Sequence, residues 1–137
     1  MEEILVKKIN KEIRAIVYLS VEGDMRKIPY KEEKQLRYIR EYAKAHTIKI
    51  VKIVHRDVRG ISLMNSQFKE IVNDIALGQA DVILVSKTGC IAQSVPEAYQ
   101  KAAMVAQAGG KLVTVKEGVL YMPVKIAVLG GKYKWID

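Results

Sequence analysis

Few side chains in this sequence have the type and spacing that chemistry needs. The soft metal ligands are His46, His55 and Cys90, too few and too scattered to converge on an ion, so no metal is expected. There is no Gly-rich phosphate loop with its lysine and no G-x-G-x-x-G after the first apolar run, which leaves nucleotide-fold enzymes without support, and no cofactor is expected. His55 ends an apolar run and is a candidate general base, but no nucleophile is placed beside it, and a polar strand end is the simpler reading. Cys90 lies between an apolar run and a helix start, where a helix amino terminus can hold a thiolate. Both histidines precede it, so no downstream base is available, and a small semi-buried side chain is the simpler reading. Glu22, Asp57, Arg59 and Cys90 all fall in segments between apolar runs, and a cleft lined by them is where unforeseen chemistry would sit.

The apolar runs decide whether those segments can meet. Val82-Ile-Leu-Val85 is a continuous apolar run of strand length, bounded by Gly78 and by Ser86 to Gly89, and reads as a strand buried on both faces with helices as neighbours. Ser94-Val-Pro-Glu97 then reads as a helix start: Ser94 caps, Pro96 sits in the first turn and Glu97 completes a capping box. The helix, from Pro96 to Ala108, carries Ala98, Ala102, Val105 and Ala106 inward and stops at Gly109-Gly110. Upstream, Ala15 to Val21 is rich in β-branched residues and reads as the first core strand. A polar loop from Glu22 ends at Pro29, Lys31 to Ala45 makes a helix with Leu36, Ile39 and Ala43 inward, and Ile48 to Val54 is a strand. His55 to Asn65 reads as a long loop, and Ser66 as the cap of a helix that buries Phe68, Ile71, Val72, Ile75 and Ala76 and ends at Gly78. Lys111 to Val115 is a further strand.

Residues 1–14 are open between a short helix and an irregular leader. The tail from Gly118, broken by Pro123 and Gly130-Gly131, reads as one or two short strands or a hairpin. The order β-α-β-α-β-α-β requires a mainly parallel sheet of about four core strands between helix layers, with right-handed crossovers. The expected fold is thus a three-layer α/β/α domain over residues 1–137 with a short β-like tail. In such sheets ligands bind beyond the carboxyl ends of the strands, where Thr88 to Gln93 would lie.

A chain of 137 residues with 50% hydrophobic side chains is one domain and can bury its core without disulfides. The single cysteine points to a reducing compartment. No apolar run approaches spanning length, and MEEILVKKINKEIR lacks the apolar stretch of a signal peptide, so a cytoplasmic protein with no membrane partner is expected. A net charge of +8 makes a polyanion a plausible partner, although the lysines are spread out rather than blocked.

Several segments together resemble the catalytic domain of serine recombinases, the resolvase/invertase family. The first strand with Tyr18, the Gln35-Leu-Arg-Tyr-Ile-Arg-Glu-Tyr-Ala43 helix, the Asp57 loop, Phe68 to Ile75 followed by Gly78 and Ala80-Asp81-Val82, and the Ser94-to-Glu97 helix start fall in the family's order over residues 14–118. The resemblance implies a fold in which a serine attacks the scissile DNA phosphate, forming a phosphoserine link, while arginines neutralise the phosphoryl oxygens. Carried over residue by residue, it also implies loss of that machinery. The family's Tyr-x-Arg-x-Ser stands here as Tyr18-Leu-Ser20-Val-Glu22, so Ser20 holds the arginine's place and Glu22 the serine's. Asn65-Ser66 stands where an arginine precedes the second helix, and Gly89-Cys90-Ile91-Ala92-Gln93 replaces Asp-Arg-x-x-Arg after the central strand. The family's long helix after this domain, which supports dimers and leads into a DNA-binding domain, gives way to the β-like tail over 119–137.

The expectation is a serine-recombinase-like domain with degenerate site positions Ser20, Glu22, Asn65, Gly89, Cys90 and Gln93, lacking strand-cleavage activity and a C-terminal DNA-binding domain. It would act as a binding or regulatory module in a bacterial or mobile-element setting. Its expected partners are DNA, held weakly by charge, and a second copy or an intact recombinase, met through the sheet edge or the apolar tail (Val119, Leu120, Tyr121, Val124, Ile126, Val128, Leu129). The alternative is residual or novel chemistry in the cleft near Glu22, Asp57, Arg59 and Cys90, with Ser20, on the same strand face as position 22, as a displaced nucleophile.

Overall fold

The computed structural model describes residues 12–120, the last two as backbone only, and the backbone of two further strands at 126–129 and 132–135. Of the ambiguous leader, positions 1–11 and the apolar-tail side chains lie outside the described residues. The chain runs β1 (Ile13–Leu19), α1 (Ile28–Ala45), β2 (Ile48–His55), α2 (Ile61–Ala76), β3 (Val82–Val85), a 3-10 turn (Thr88–Cys90), α3 (Val95–Gln107), β4 (Lys111–Thr114), β5 (Gly118–Leu120), β6 (Ile126–Leu129) and β7 (Lys132–Trp135). The main sheet has the order β2-β1-β3-β4-β5, with β1 to β4 parallel and β5 antiparallel to β4. β6 and β7 form a separate antiparallel pair, the hairpin that the tail pattern suggested. The expected three-layer architecture with four parallel core strands is what forms. No described helix is long and apolar enough to cross a membrane.

Each face of the sheet has its own core, set by the two-residue alternation of β1 and β3. Ala15, Val17, Leu19, Val82 and Leu84 pack on Ile39 and Ala43 of α1. Ile16, Tyr18, Ile83 and Val85 pack on Phe68, Ile71 and Ile75 of α2 and on Ala102 and Val105 of α3. All of Ala15 to Leu19 and Val82 to Val85 are buried, as expected of strands with helices on both sides. β2 is an edge strand and solves its facing problem with a bulge. Ala15 pairs with Ile50 and Ile16 with Lys52, so Val51 is the extra residue. The shift keeps Ile48, Ile50 and Ile53 all against the α1 core, whereas strict alternation would turn Ile53 away.

Two helices start earlier than their polar residues suggested. α1 begins at Ile28 rather than Lys31, because Pro29 sits in the first turn, where a missing N–H costs nothing. α2 begins at Ile61, so the loop expected over His55 to Asn65 shrinks to 56–60 and Ser66 is not a cap. Ser66 lies inside the helix and its Oγ donates to the Ser62 carbonyl at 3.1 Å. Gly60, at φ 156°, makes the break instead. Gln67 takes up the loop's backbone, accepting from the Asp57 N–H at 2.9 Å and donating to the His55 carbonyl at 2.7 Å.

The inward stripes hold with two corrections. Ala76 and Ala106 are exposed, since each follows the last buried position of its helix, Ile75 or Val105, by one residue, about 100° round. Lys101, between Ala98 and Val105, is buried instead. After α3, Gly110 permits a close approach: a Cβ there would lie 2.6 Å from Ile75 Cγ2 and 2.7 Å from the Asp81 carbonyl oxygen.

Candidate functional site

From β1 the chain moves outward to β2, then α2 carries it back across to β3 and on to β4, so the winding direction reverses between β1 and β3. Crevices that bind ligands open at such a reversal, beyond the carboxyl ends of the strands. The segments after β1 and β3 meet there, around a cavity of about 380 Å³ lined by Ser20, Val21, Glu22, Gln35, Lys87, Gly89 and Cys90. Four of the six degenerate positions, Ser20, Glu22, Gly89 and Cys90, are therefore together.

Ser20 is buried and its main chain is clamped by Gln35 of α1. The Gln35 side chain accepts from the Ser20 N–H at 2.8 Å and donates to the Ser20 carbonyl at 2.9 Å. The buried Cys90 thiol donates to the same carbonyl at 3.4 Å and lies 3.7 Å from Gln35 Nε2. Buried and in hydrogen-bond contact with the Ser20 carbonyl and Gln35, Cys90 stands as a packing and hydrogen-bonding group of the cavity wall. Glu22 is exposed, and its carbonyl accepts from Lys31 Nζ at 2.7 Å. The cavity's charged side chains are Glu22 and Lys87.

The arginines nearest this end of the sheet are occupied. Arg56 donates to the Val21 carbonyl at 2.8 Å. Arg59 pairs with Asp57, with Nη2 2.7 Å and Nε 3.0 Å from the carboxylate. Those hydrogen bonds hold the Asp57 carboxyl down at about 2. Beneath them Tyr18 is pushed up to about 12, chiefly by burial and against the pull of Arg56. His55 is not beside any nucleophile; its Nδ1 lies 3.0 Å from Glu32 of α1. His46 stacks on Tyr42 with ring centroids 4.0 Å apart. Among the described residues no group of three or more His, Cys, Asp or Glu could hold a metal ion.

Asn65 and Gln93 belong to a second cluster centred on Lys101. The Lys101 ammonium donates to the Ile91 carbonyl, to Asn65 Oδ1 at 3.2 Å and to Glu97 Oε1 at 3.3 Å, over the Phe68 ring at 5.2 Å. Glu97 in turn accepts from the Gln93 N–H at 3.1 Å, and its carboxyl is held below the ordinary range by that bond first and by Lys101 second. Ser94 Oγ accepts from the Glu97 N–H at 3.3 Å, so the expected cap forms, with its reciprocal arm on Gln93 rather than on Ser94. Neither Gln35 nor Lys101 was singled out by residue type. Lys101 was findable by position, because 98, 101, 102 and 105 are one helical stripe.

The sequence matches the profile of the family described as Resolvase, N terminal domain, over residues 20–126. Among curated proteins no sequence matches significantly. Solved structures do. A resolvase family site-specific recombinase from Streptococcus pneumoniae superposes with a TM-score of 0.64 at 20% identity, covering 77% of this chain and 74% of that one. The C-terminal catalytic domain of ISC1926 TnpA, an IS607-like serine recombinase, gives 0.59 at 20% identity over 77% and 72% of the two chains. The N-terminal catalytic domain of TP901-1 integrase gives 0.57 at 15% identity over 77% and 78%. At such identities the structures speak for the fold, and the profile match, over most of the chain, speaks for descent. The chain belongs to the resolvase N-terminal domain family.

Proposed function

We propose that this chain is a recombinase-type domain that does not cut DNA and works as a DNA-associated or recombinase-associated regulatory module in the cytoplasm, in a bacterial or mobile-element setting. The observation that carries the reading is the lining of the switch-point cavity, which offers a carboxylate at position 22 and no guanidinium. Phosphoryl transfer needs a nucleophile that can approach an anion and fixed cations for the charge that develops on the nonbridging oxygens. Glu22 repels that anion. Ser20, the displaced candidate, has its main chain pinned between Gln35 and Cys90 with no base beside it among the described residues. Losing one such donor costs on the order of a hundred- to a thousandfold in rate, and here the nucleophile and three arginine positions, 20, 90 and 93, are changed together with Asn65.

The test is a plasmid-nicking assay run beside a salt titration of binding to a fluorescent duplex. The expected result is no nicking, with binding that weakens steeply as salt rises. Nicking by purified protein that disappears in Ser20→Ala would overturn the proposal in favour of an active enzyme. Absent or salt-insensitive binding would remove DNA and leave a recombinase subunit as the partner.

A further inference from the structure

At the opposite edge of the sheet from β5, β2 runs for 8 residues with its outer backbone unpaired by any strand of the sheet. Beside it, under α1, lies a groove of about 600 Å³. Its floor is apolar, built from Ile48, Ile50, Ile53 and the bulged Val51, which is 43% exposed. Its rim is basic, with Arg40 and Lys44 of α1. A second cleft of about 310 Å³ shares Arg40 and Lys44 and adds Arg37, but Glu33 and Glu41 line it too, so the purely basic rim is confined to the groove itself. On the other face of β2, Lys49 and Lys52 stand opposite Arg14 and Ile16 of β1. Lys52 is paired with Asp74 at 3.0 Å, whereas Arg37, Arg40, Lys44 and Lys49 have no ion-pair partner among the described residues.

These features together select one kind of occupant. A second copy would bring basic rim against basic rim, and lysines along an edge strand act against such self-pairing. Nucleic acid would satisfy the rim but would lay phosphates over an apolar floor, where they lose water and gain nothing. A protein strand with alternating apolar and acidic residues meets every demand. Added to β2, it would seat its apolar side chains beside Ile48, Ile50 and Ile53 and its carboxylates towards Lys49, while Arg40 and Lys44 on the rim attract its overall negative charge at longer range. We propose that the α1–β2 edge is a docking site for an acidic, alternately apolar segment of a partner protein, bound as an added strand. The groove shares no lining residue with the switch-point cavity, and its use does not depend on whether that cavity is catalytic.

The experiment measures anisotropy of a fluorescent peptide of alternating Glu and Val, as long as β2, titrated with the full chain. Saturable binding is expected, weakened about tenfold or more when the same residues are arranged in two blocks or when Lys replaces Glu. Lys49→Glu should cost about tenfold or more, and Arg40→Glu combined with Lys44→Glu, on the face that takes the valines, only a few-fold through longer-range charge. Amide exchange of residues 48–55 should slow on binding to the unaltered chain, a readout that needs no variant. The proposal is overturned by no binding, by equal binding of the block peptide, by charge reversals without effect, by displacement of the peptide with duplex DNA, or by sedimentation showing that this face is buried in a dimer.

Discussion

Replacing Lys101 by methionine tests whether the second cluster holds the site together. Methionine keeps the unbranched stem but removes the ammonium, and with it the cation over the Phe68 ring, and leaves the Ile91 carbonyl without its donor in a residue only 1% exposed. An unpaired buried carbonyl costs about 1 to 3 kcal/mol. The bond to Asn65 adds about 1 kcal/mol, and the contact with Glu97, whose side chain is 32% exposed, adds less than about 1 kcal/mol. Against these stands the relief of no longer burying a cation, so the net loss should be about 2 to 3 kcal/mol, towards the low end for a broken buried pair. That is a large part of a stability of about 5 to 15 kcal/mol. Urea unfolding followed by circular dichroism at pH 7 measures it, with the exposed Lys111→Met as control, expected within about 0.5 kcal/mol of the parent. A double cycle with Asn65→Ala should return a coupling of about 0.5 kcal/mol or more. Equal losses for Lys101→Met and Lys111→Met, or no coupling to Asn65, would refute the reasoning.

Three further outcomes follow from the same geometry. Gln35→Leu removes the acceptor of the Ser20 N–H and one of the two donors to its carbonyl, leaving Cys90 on the latter, so amide exchange at Ser20 should accelerate and stability should fall by about 1 to 3 kcal/mol; an unchanged Ser20 exchange rate would contradict the clamp. The Asp57 carboxyl should titrate by NMR near pH 2, below its ordinary 3.8, and Arg59→Ala should move the midpoint back up. Because the folded value is depressed, the stabilisation it provides is present above about pH 4 and lost as pH falls through about 2, and Arg59→Ala should erase that acid-limb dependence. Cys90 should react with iodoacetamide at pH 7 more slowly than free cysteine, at a rate that follows unfolding; a rate at or above that of free cysteine would revive the thiolate.

The layers and the mainly parallel sheet were legible because β1 and β3 are unbroken apolar runs and the helices between them carry single apolar stripes, whereas the order β2-β1-β3-β4-β5 depends on which way each crossover turns and came from the structure. What misled was local and polar. Ser66 has the residue type of a cap, but Gly60 six residues earlier had already broken the chain, and the exposed Ile61 and Leu63 gave the first turn of α2 no apolar stripe to be recognised by. The bulge in β2 was legible in retrospect: Ile48, Ile50 and Ile53 share a face only if one residue is skipped, and Lys49 and Lys52 then share the other. Ser20, Glu22, Gly89 and Cys90 were found together because the topology forces their segments to one place. Gln35 and Lys101 escaped because each acts on backbone groups, which residue patterns do not report.

That difference bears on whether the family's chemistry could be restored one residue at a time. A site emptied by drift would leave polar groups without partners, yet among the described residues no buried side-chain nitrogen or oxygen lacks one. Ser20 is held through Gln35, Cys90 binds the Ser20 carbonyl, Asn65 accepts from Lys101, and the Gln93 N–H is taken by Glu97. An arginine put back at 90 or 93 would therefore enter an occupied network. At 90 it must displace a buried thiol and its two contacts. At 93 it would lie beside Glu97, a carboxylate ready to pair with it before any phosphate does. Glu22→Ser alone, or with Ser20→Arg, should leave plasmid nicking undetectable, because the cations at positions 65, 90 and 93 are still missing, and Asn65 and Cys90 are already bonded to other groups.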